Sequence, residues 1–206
     1  MDVSSLLTIE PAPRAVLAKL ATHRDRARFR VRNPDGSWTA VTWGEFATQL
    51  RAVARWLVDG GLQPGEVAAV YAGNSVAWAA AALGIQAVGG VMVPVYPAST
   101  ADQLAYVLEH AEARVLFVGA DQRGRAASVR ARLPQLQRIA ALDDGDGPAP
   151  AAAAPVITRW SAIQTAAAID QADPRVVDER LAAIELDAPG LMLYTSGTSG
   201  VIGLFQ

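Results

Sequence analysis

The spacing of hydrophobic residues predicts helices that alternate with short strands over most of the chain. Thr42 and Glu45 form a capping box, in which each residue can satisfy a free backbone N–H of the other. The helix behind this box carries an apolar stripe at helical intervals, made of Phe46, Leu50, Val53 and Leu57. Short apolar runs predict strands at residues 66–71, 91–96, 115–118 and 136–142. Because helical segments separate these runs, the pattern predicts an α/β fold with a mainly parallel sheet flanked by helices.

Both ends of the chain add elements to this alternation. Residues 11–23 predict a helix. The turn-forming sequence Asn33-Pro34-Asp35-Gly36 predicts an N-terminal β-hairpin, whose strands are expected at 28–31 and 37–41. Towards the other end, short helices are predicted at 161–168 and 174–184, and a last apolar strand at 190–194.

A segment rich in proline, alanine and glycine, residues 143–156, divides the chain. This composition is typical of a linker or a long surface loop. We therefore expect an α/β subdomain with the N-terminal helix and hairpin at 1–142, and helices, a strand and a loop of the same domain at 157–206. The acidic run at 143–147 resembles a calcium loop, but Pro148 replaces a ligand and no glutamate closes the loop, so no metal site is expected.

Composition narrows the classes of function. The chain has 206 residues, of which 51% are hydrophobic and 18% charged, which is typical of a globular protein and excludes a disordered one. Cysteine is absent, and the two histidines, His23 and His110, are far apart in sequence, so neither a thiolate nor a histidine metal site is expected. A net charge of −2 gives no electrostatic basis for binding nucleic acid.

Residues 67–101 contain no charged side chain, which raises the question of whether they form a membrane-spanning helix. A spanning helix needs about 20 consecutive apolar residues. Asn74-Ser75, Gly89-Gly90 and Pro94 interrupt this stretch, so a buried strand–helix–strand unit is the better interpretation. The N-terminus lacks the basic and apolar regions of a secretion signal, and a cytoplasmic protein is expected.

Arginine occupies every second position from Arg24 to Arg32. In an extended chain these side chains would share one face, opposite Ala27, Phe29 and Val31. A solvated face paired with acidic residues is the simpler interpretation. The functional alternative is peripheral membrane contact through Arg24–Arg32, or contact with the phosphates of a bound ligand.

The strongest candidate site follows the last predicted strand. It consists of Thr195, Ser196, Gly197, Thr198, Ser199 and Gly200. Glycines let backbone N–H groups converge on phosphate oxygens, and the hydroxyls add short donors. A flexible linker is the alternative for such a composition. The segment is not the P-loop of a GTPase, because that motif needs a lysine and Lys19 is the only lysine of the chain.

Tyr194–Gly200 resembles the phosphate loop Tyr-Thr-Ser-Gly-Thr-(Thr/Ser)-Gly of AMP-forming adenylating enzymes, which include acyl-CoA synthetases, luciferases and peptide-synthetase adenylation domains. Residues 42–46, 89–97 and 113–117 also resemble segments of this family in the same order. Val95-Tyr96-Pro97-Ala98-Ser99-Thr100 is most similar to the long-chain fatty acyl-CoA synthetase branch. The resemblance extends over almost the whole chain.

The resemblance implies part of the large N-terminal domain of such an enzyme. The family joins ATP to a carboxylate, releases pyrophosphate and transfers the acyl group of the adenylate to CoA. Residues 195–200 would then hold the β- and γ-phosphates of ATP, with Mg²⁺ as its metal ion. ATP, a fatty acid and CoA are the implied partners, and no residue of this chain is assigned a catalytic role.

The chain departs from the family after Gly200. The family continues with Pro-Lys-Gly, whereas this chain has Val201–Gln206, and the adenine site and catalytic lysine of the family lie further along. We therefore expect a truncated N-terminal part of a long-chain fatty acid–CoA ligase that is inactive alone. We also expect it to self-associate or to pair with a missing C-terminal part. The alternative is a non-catalytic nucleotide-binding, phosphate-binding or protein-interaction module.

Overall fold

The computed structural model describes residues 9–145, 157–196 and 202–205. The helices in these ranges are α1 Ala12–Ala18, α2 Leu20–His23, α3 Trp43–Asp59, α4 Val76–Ala87, α5 Ala101–His110, α6 Arg123–Val129, α7 Trp160–Gln164, α8 Ala166–Ala172 and α9 Arg175–Ala182. The strands are β1 Ala27–Arg32, β2 Trp38–Thr42, β3 Val67–Tyr71, β4 Val91–Val95, β5 Val115–Val118, β6 Arg138–Ala141, β7 Ile157–Thr158, β8 Leu193–Ser196 and β9 Ile202–Phe205.

A five-stranded parallel sheet in the order β4-β3-β5-β6-β7 forms the centre of the fold. Side chains alternate between its two faces, as the pleat requires. Val70 and Phe117 face the helices α3 and α4, whereas Ala69 and Leu116 face α5 and α6. All five residues of β3 are buried, because helices cover both faces. The predicted fold class, a mainly parallel sheet flanked by helices with an N-terminal β-hairpin, is confirmed.

Helix α3 shows how the local sequence determines this packing. Thr42 accepts a hydrogen bond from the backbone of Glu45, and the Glu45 carboxylate accepts one from the backbone of Thr42, so the predicted capping box is present. The four residues of the predicted stripe are completely buried: Phe46, Leu50, Val53 and Leu57. The stripe faces α4, where Gly84 lets the two helices approach. A Cβ atom on Gly84 would lie 2.7 Å from Val53 Cγ1.

The N-terminal region differs from the prediction in two respects. The helix expected at 11–23 is divided at Lys19 into α1 and α2. The hairpin β1–β2 forms as expected, but its register shifts between Ala27 and Phe29. This bulge turns the guanidinium of Arg28 onto the indole of Trp43, 4.1 Å from the ring centroid. The expectation that an extended chain puts all five arginines on one face is therefore wrong: Arg24 and Arg26 precede β1 in a turn, and Arg28 packs on aromatic rings.

The region after β6 also differs in detail. The two-residue strand β7 pairs with β6 and was not predicted. Between β5 and β6 the chain forms the short α-helix α6 between two 3₁₀ turns. Residues 146–156 lie outside the described residues, so the division at 143–156 stays a prediction. Across the described ranges, no helix is both long enough and apolar enough to cross a membrane.

Candidate functional site

The segment that leads to the predicted phosphate loop is held on the outer edge of β4. The Met92 N–H donates to the Gly190 carbonyl at 3.1 Å, and the Met192 N–H donates to the Met92 carbonyl at 3.0 Å. Leu191 forms a single parallel bridge with Met92. The Gln86 side chain of α4 also donates to the Gly190 carbonyl, at 3.0 Å. Backbone hydrogen bonds therefore fix residues 190–192 against the sheet.

The chain then leaves the sheet and forms a second β-hairpin. Strand β8 pairs antiparallel with β9, with Leu193 opposite Phe205 and Ser196 opposite Ile202. The strand predicted at 190–194 therefore forms only in part: a single parallel bridge at Leu191 precedes β8, which starts at Leu193 and is antiparallel to β9. Leu191 and Leu193 are 43% and 40% exposed, because parallel pairing with β4 ends after one bridge.

The structure describes part of the predicted phosphate-binding segment. Thr195 lies in β8 with an exposed side chain, and the backbone of Ser196 ends that strand. Gly197, Thr198, Ser199 and Gly200 lie outside the described residues.

A contact that the sequence analysis missed lies directly before Thr195. The hydroxyl of Tyr194 is 2.8 Å from Nδ1 of His110, the last residue of α5. The two rings meet edge to face, with centroids 5.6 Å apart. Tyr106, one helical turn earlier, stacks on the imidazole with the ring centroids 5.8 Å apart. From the sequence, His110 was considered only as a possible metal ligand.

The surroundings of Tyr194 keep its hydroxyl neutral. Desolvation by burial raises the pKa of Tyr194, and the nearby Tyr106 raises it further. Tyr194 and Met192 pack against the apolar cluster between the sheet and α5. The phenol is therefore available as a neutral hydrogen-bonding group over the physiological pH range.

A second polar arrangement ties α3 to the helices that precede this segment. Arg51 of α3 forms hydrogen bonds with Asp170 of α8 at 2.5 Å and with Asp178 of α9 at 2.7 Å. Its guanidinium also donates to the Pro174 carbonyl at 3.1 Å. Burial alone would lower the pKa of Arg51, but the two carboxylates raise it overall. A cleft of about 290 Å³ lies beside this network, and its charged lining consists of Arg24, Arg51 and Asp170.

The arginines of residues 24–32 and the acidic and histidine side chains are further candidates for ligand and metal binding. Arg24, Arg26, Arg30 and Arg32 are exposed, whereas Arg28 lies among aromatic rings and burial lowers its pKa. Within the described ranges, no group of three or more histidine, aspartate or glutamate side chains could hold a metal ion.

Comparisons with known proteins agree with this fold. The family model described as AMP-binding enzyme matches residues 17–201. The long-chain-fatty-acid–CoA ligase FadD15 of Mycobacterium bovis is 35% identical over 167 residues, which cover 81% of this chain and 26% of that protein. The chain therefore spans about a quarter of the length of this relative.

Solved structures show the same fold at lower identity. The anthranilate CoA ligase AuaEII, in complex with anthranoyl-AMP, superimposes with a TM-score of 0.71 at 19% identity, over 100% of this chain and 36% of that one. The acetoacetyl-CoA synthetase from Streptomyces lividans gives a TM-score of 0.71 at 23% identity, over 93% and 29%. The resemblance stated from the sequence is thus confirmed, and the chain belongs to the family of AMP-binding enzymes.

Proposed function

We propose that these 206 residues form the amino-terminal, phosphate-binding part of an AMP-forming ligase that joins long-chain fatty acids to CoA. One observation carries the proposal: the segment from Thr195 to Gly200 begins in β8, three residues after the last backbone hydrogen bond to the edge of β4, in a chain 35% identical to a long-chain-fatty-acid–CoA ligase. We also propose that it acts in the cytoplasm.

The proposed reaction has two steps. A fatty acid carboxylate attacks the α-phosphorus of ATP, which forms an acyl-adenylate and releases pyrophosphate. The thiol of CoA then attacks the acyl carbon, which forms the thioester and releases AMP. Residues 195–200 would bind the β- and γ-phosphates through hydroxyl and backbone N–H donors, so that the leaving pyrophosphate is oriented and its charge stabilised.

The chemistry of the segment fits a phosphate ligand. Thr195, Ser196, Thr198 and Ser199 supply neutral donors, and the glycines leave room for close approach of oxygen atoms to the backbone. The segment contains no carboxylate that would repel the phosphates. We propose that Mg²⁺ enters with ATP, bound to the phosphate oxygens.

We further propose that residues 1–206 do not form acyl-adenylate by themselves. The similar ligase is about four times as long as the segment that matches it, since 167 matched residues cover 26% of that protein. The segment after Gly200 also contains no lysine to neutralise phosphate charge. Loss of one preorganised charge partner costs about 10²–10³-fold in rate in other enzymes.

A chimera tests the proposed function. Residues 1–200 would replace the matching part of the mycobacterial ligase, whose own sequence would continue after Gly200, and ATP–pyrophosphate exchange would be measured with palmitate and with acetate. We expect palmitate-dependent exchange in the chimera, none in the 206-residue chain, and a loss of at least tenfold after Thr198→Ala with Ser199→Ala. The matched control is Ser128→Ala, an exposed serine of α6.

Two results would contradict the proposal. Exchange by the isolated 206-residue chain would overturn its inactivity. A folded chimera that binds ATP without exchange would favour the alternative, a non-catalytic nucleotide-binding or protein-interaction module.

We propose membrane contact as a second property, because the exposed hairpin combines arginine with tryptophan. Arg32 lies opposite Trp38, which is 61% exposed. Within the described part of the chain, neither Arg30 nor Arg32 forms a salt bridge. Arginine and tryptophan are suited to the charged surface and the interface of anionic membranes.

Sedimentation with phosphatidylserine vesicles tests this contact. We expect binding that falls severalfold in the double variant Arg30→Ser with Arg32→Ser. The control Arg132→Ser should bind as the original chain does, because Arg132 is 57% exposed but lies in the turn after α6, outside the hairpin. Equal binding by the hairpin variant would contradict the proposal.

A further inference from the structure

We propose that His110 is a positioning residue, which holds Tyr194 and thereby sets where the phosphate-binding segment begins. The inference rests on the function proposed for residues 195–200. The contact joins the end of α5 to β8 across 84 positions of sequence, so it is a tertiary tie and not a local turn.

The side of the tie formed by α5 is rigid. Thr100 and Gln103 close a capping box at the start of this helix. Leu104, Val107 and Leu108 are buried against the sheet. His110 therefore projects from a helix that is fixed at its first turn and along one face.

The side formed by β8 needs such a tie. Backbone hydrogen bonds to the sheet end at Met192, and the next strand pairs only with β9 within the described residues. Tyr194 is two positions beyond Met192 and directly precedes Thr195. Its hydroxyl contact with His110 is thus a lateral link between the hairpin and the body of the protein, at the entrance to the segment.

The arrangement of the rings limits how far Tyr194 can move. The imidazole contacts two tyrosine rings: that of Tyr106, which is nearly parallel at 28°, and that of Tyr194, which is nearly perpendicular at 89°. Either group can donate: the phenol to a neutral Nδ1, or a protonated Nδ1 to the phenol oxygen. A misplacement of about 1 Å in a substrate-positioning group can cost about 100-fold in rate, so a tie one residue from Thr195 bears directly on phosphate alignment.

Amide hydrogen exchange of the 206-residue chain tests the tie without any ligand. His110→Ala and Tyr194→Phe should each speed exchange of residues 193–196 about fivefold, the effect of losing one hydrogen bond. The double variant should be no faster than either single one. His110→Asn, whose amide can replace Nδ1, should restore slow exchange, and exchange of β3 should stay unchanged. The control Glu109→Ala removes a neighbouring exposed side chain and should have no effect.

ATP kinetics of the chimera separate positioning from stability. We expect His110→Ala to raise KM for ATP severalfold while KM for palmitate is unchanged, and His110→Asn to recover most of the loss. Unchanged exchange at 193–196 in both single variants would overturn the tie. Faster exchange in the variants, together with a chimera that shows no ATP-dependent activity, would support the tie and overturn the proposed function.

Discussion

Arg51 binds two carboxylates that differ in burial, and this difference gives a sharp prediction about stability. The side chain of Asp170 is 4% exposed, whereas that of Asp178 is 55% exposed. The carboxylate of Asp170 accepts two hydrogen bonds from the guanidinium of Arg51, at 2.5 Å and 3.2 Å. The carboxylate of Asp178 accepts one, at 2.7 Å. Because both carboxylates share Arg51 as their partner, the contributions of a buried and an exposed ion pair to stability can be compared directly.

Asp170→Ala should destabilise the protein far more than Asp178→Ala. Removing one partner of a buried pair leaves the other charge poorly compensated, which costs about 3–5 kcal/mol. An exposed pair contributes about 1 kcal/mol or less. For a chain of this size, 1 kcal/mol corresponds to about 2–4 °C in Tm. We expect Tm to fall by about 10 °C in Asp170→Ala and by about 3 °C or less in Asp178→Ala.

Urea denaturation followed by tryptophan fluorescence would measure both variants. Arg51→Ala should cost about as much as Asp170→Ala, and the double variant less than the sum, because the two side chains act as a pair. Equal destabilisation by Asp170→Ala and Asp178→Ala would refute the argument from burial. So would fully additive effects of Arg51→Ala and Asp170→Ala.

Three further predictions concern the helices and the edge of β4. Gly84→Ala should destabilise by about 1–3 kcal/mol because its Cβ would meet Val53. Gly124→Ala in α6, where the Cβ has open space, should be neutral or stabilise by up to about 1 kcal/mol, as denaturation of both variants would show. Hydrogen bonds from the backbone and side chain of Thr42 lower the pKa of Glu45. The stabilisation that Glu45 contributes should therefore be present above its unfolded-state pKa of 4.5, and it should be lost as the pH falls through the lower pKa of the folded state. A stability difference between Glu45→Gln and the original chain that persists at pH 2 would contradict this. Leu193→Glu should weaken the expected self-association through the exposed side chains of Leu191 and Leu193, and an unchanged sedimentation profile would argue against that surface.

The elements of the core could be predicted because their signals are local. A capping box and an apolar stripe define α3 within about four turns, and the stripe is buried as the periodicity requires. The bulge at Arg28 could not be predicted from alternation, because it depends on Trp43 and Phe46 of the following helix. Strand β7 gave no signal, since a two-residue strand is too short to show a period.

The candidate site shows the same limit. The glycine and hydroxyl residues of the segment were recognised from composition and from the family motif. The antiparallel partner of β8 was not, because strand pairing is decided by tertiary contacts that alternation does not specify. The contact of His110 with Tyr194 was missed for a similar reason. The helical spacing of Tyr106 and His110 is visible in the sequence, but nothing in it points to a tyrosine 84 residues away.

Calorimetric titration of the 206-residue chain, with and without Mg²⁺, tests the central claim most directly. The claim is that residues 195–200 bind the phosphates of ATP, so ATP and inorganic tripolyphosphate should both bind. Thr198→Ala with Ser199→Ala should weaken both ligands at least tenfold, the effect of losing hydrogen bonds to a charged group, while Ser128→Ala should weaken neither. Absence of heat with both ligands, or equal affinity in the loop variant and the original chain, would contradict the account.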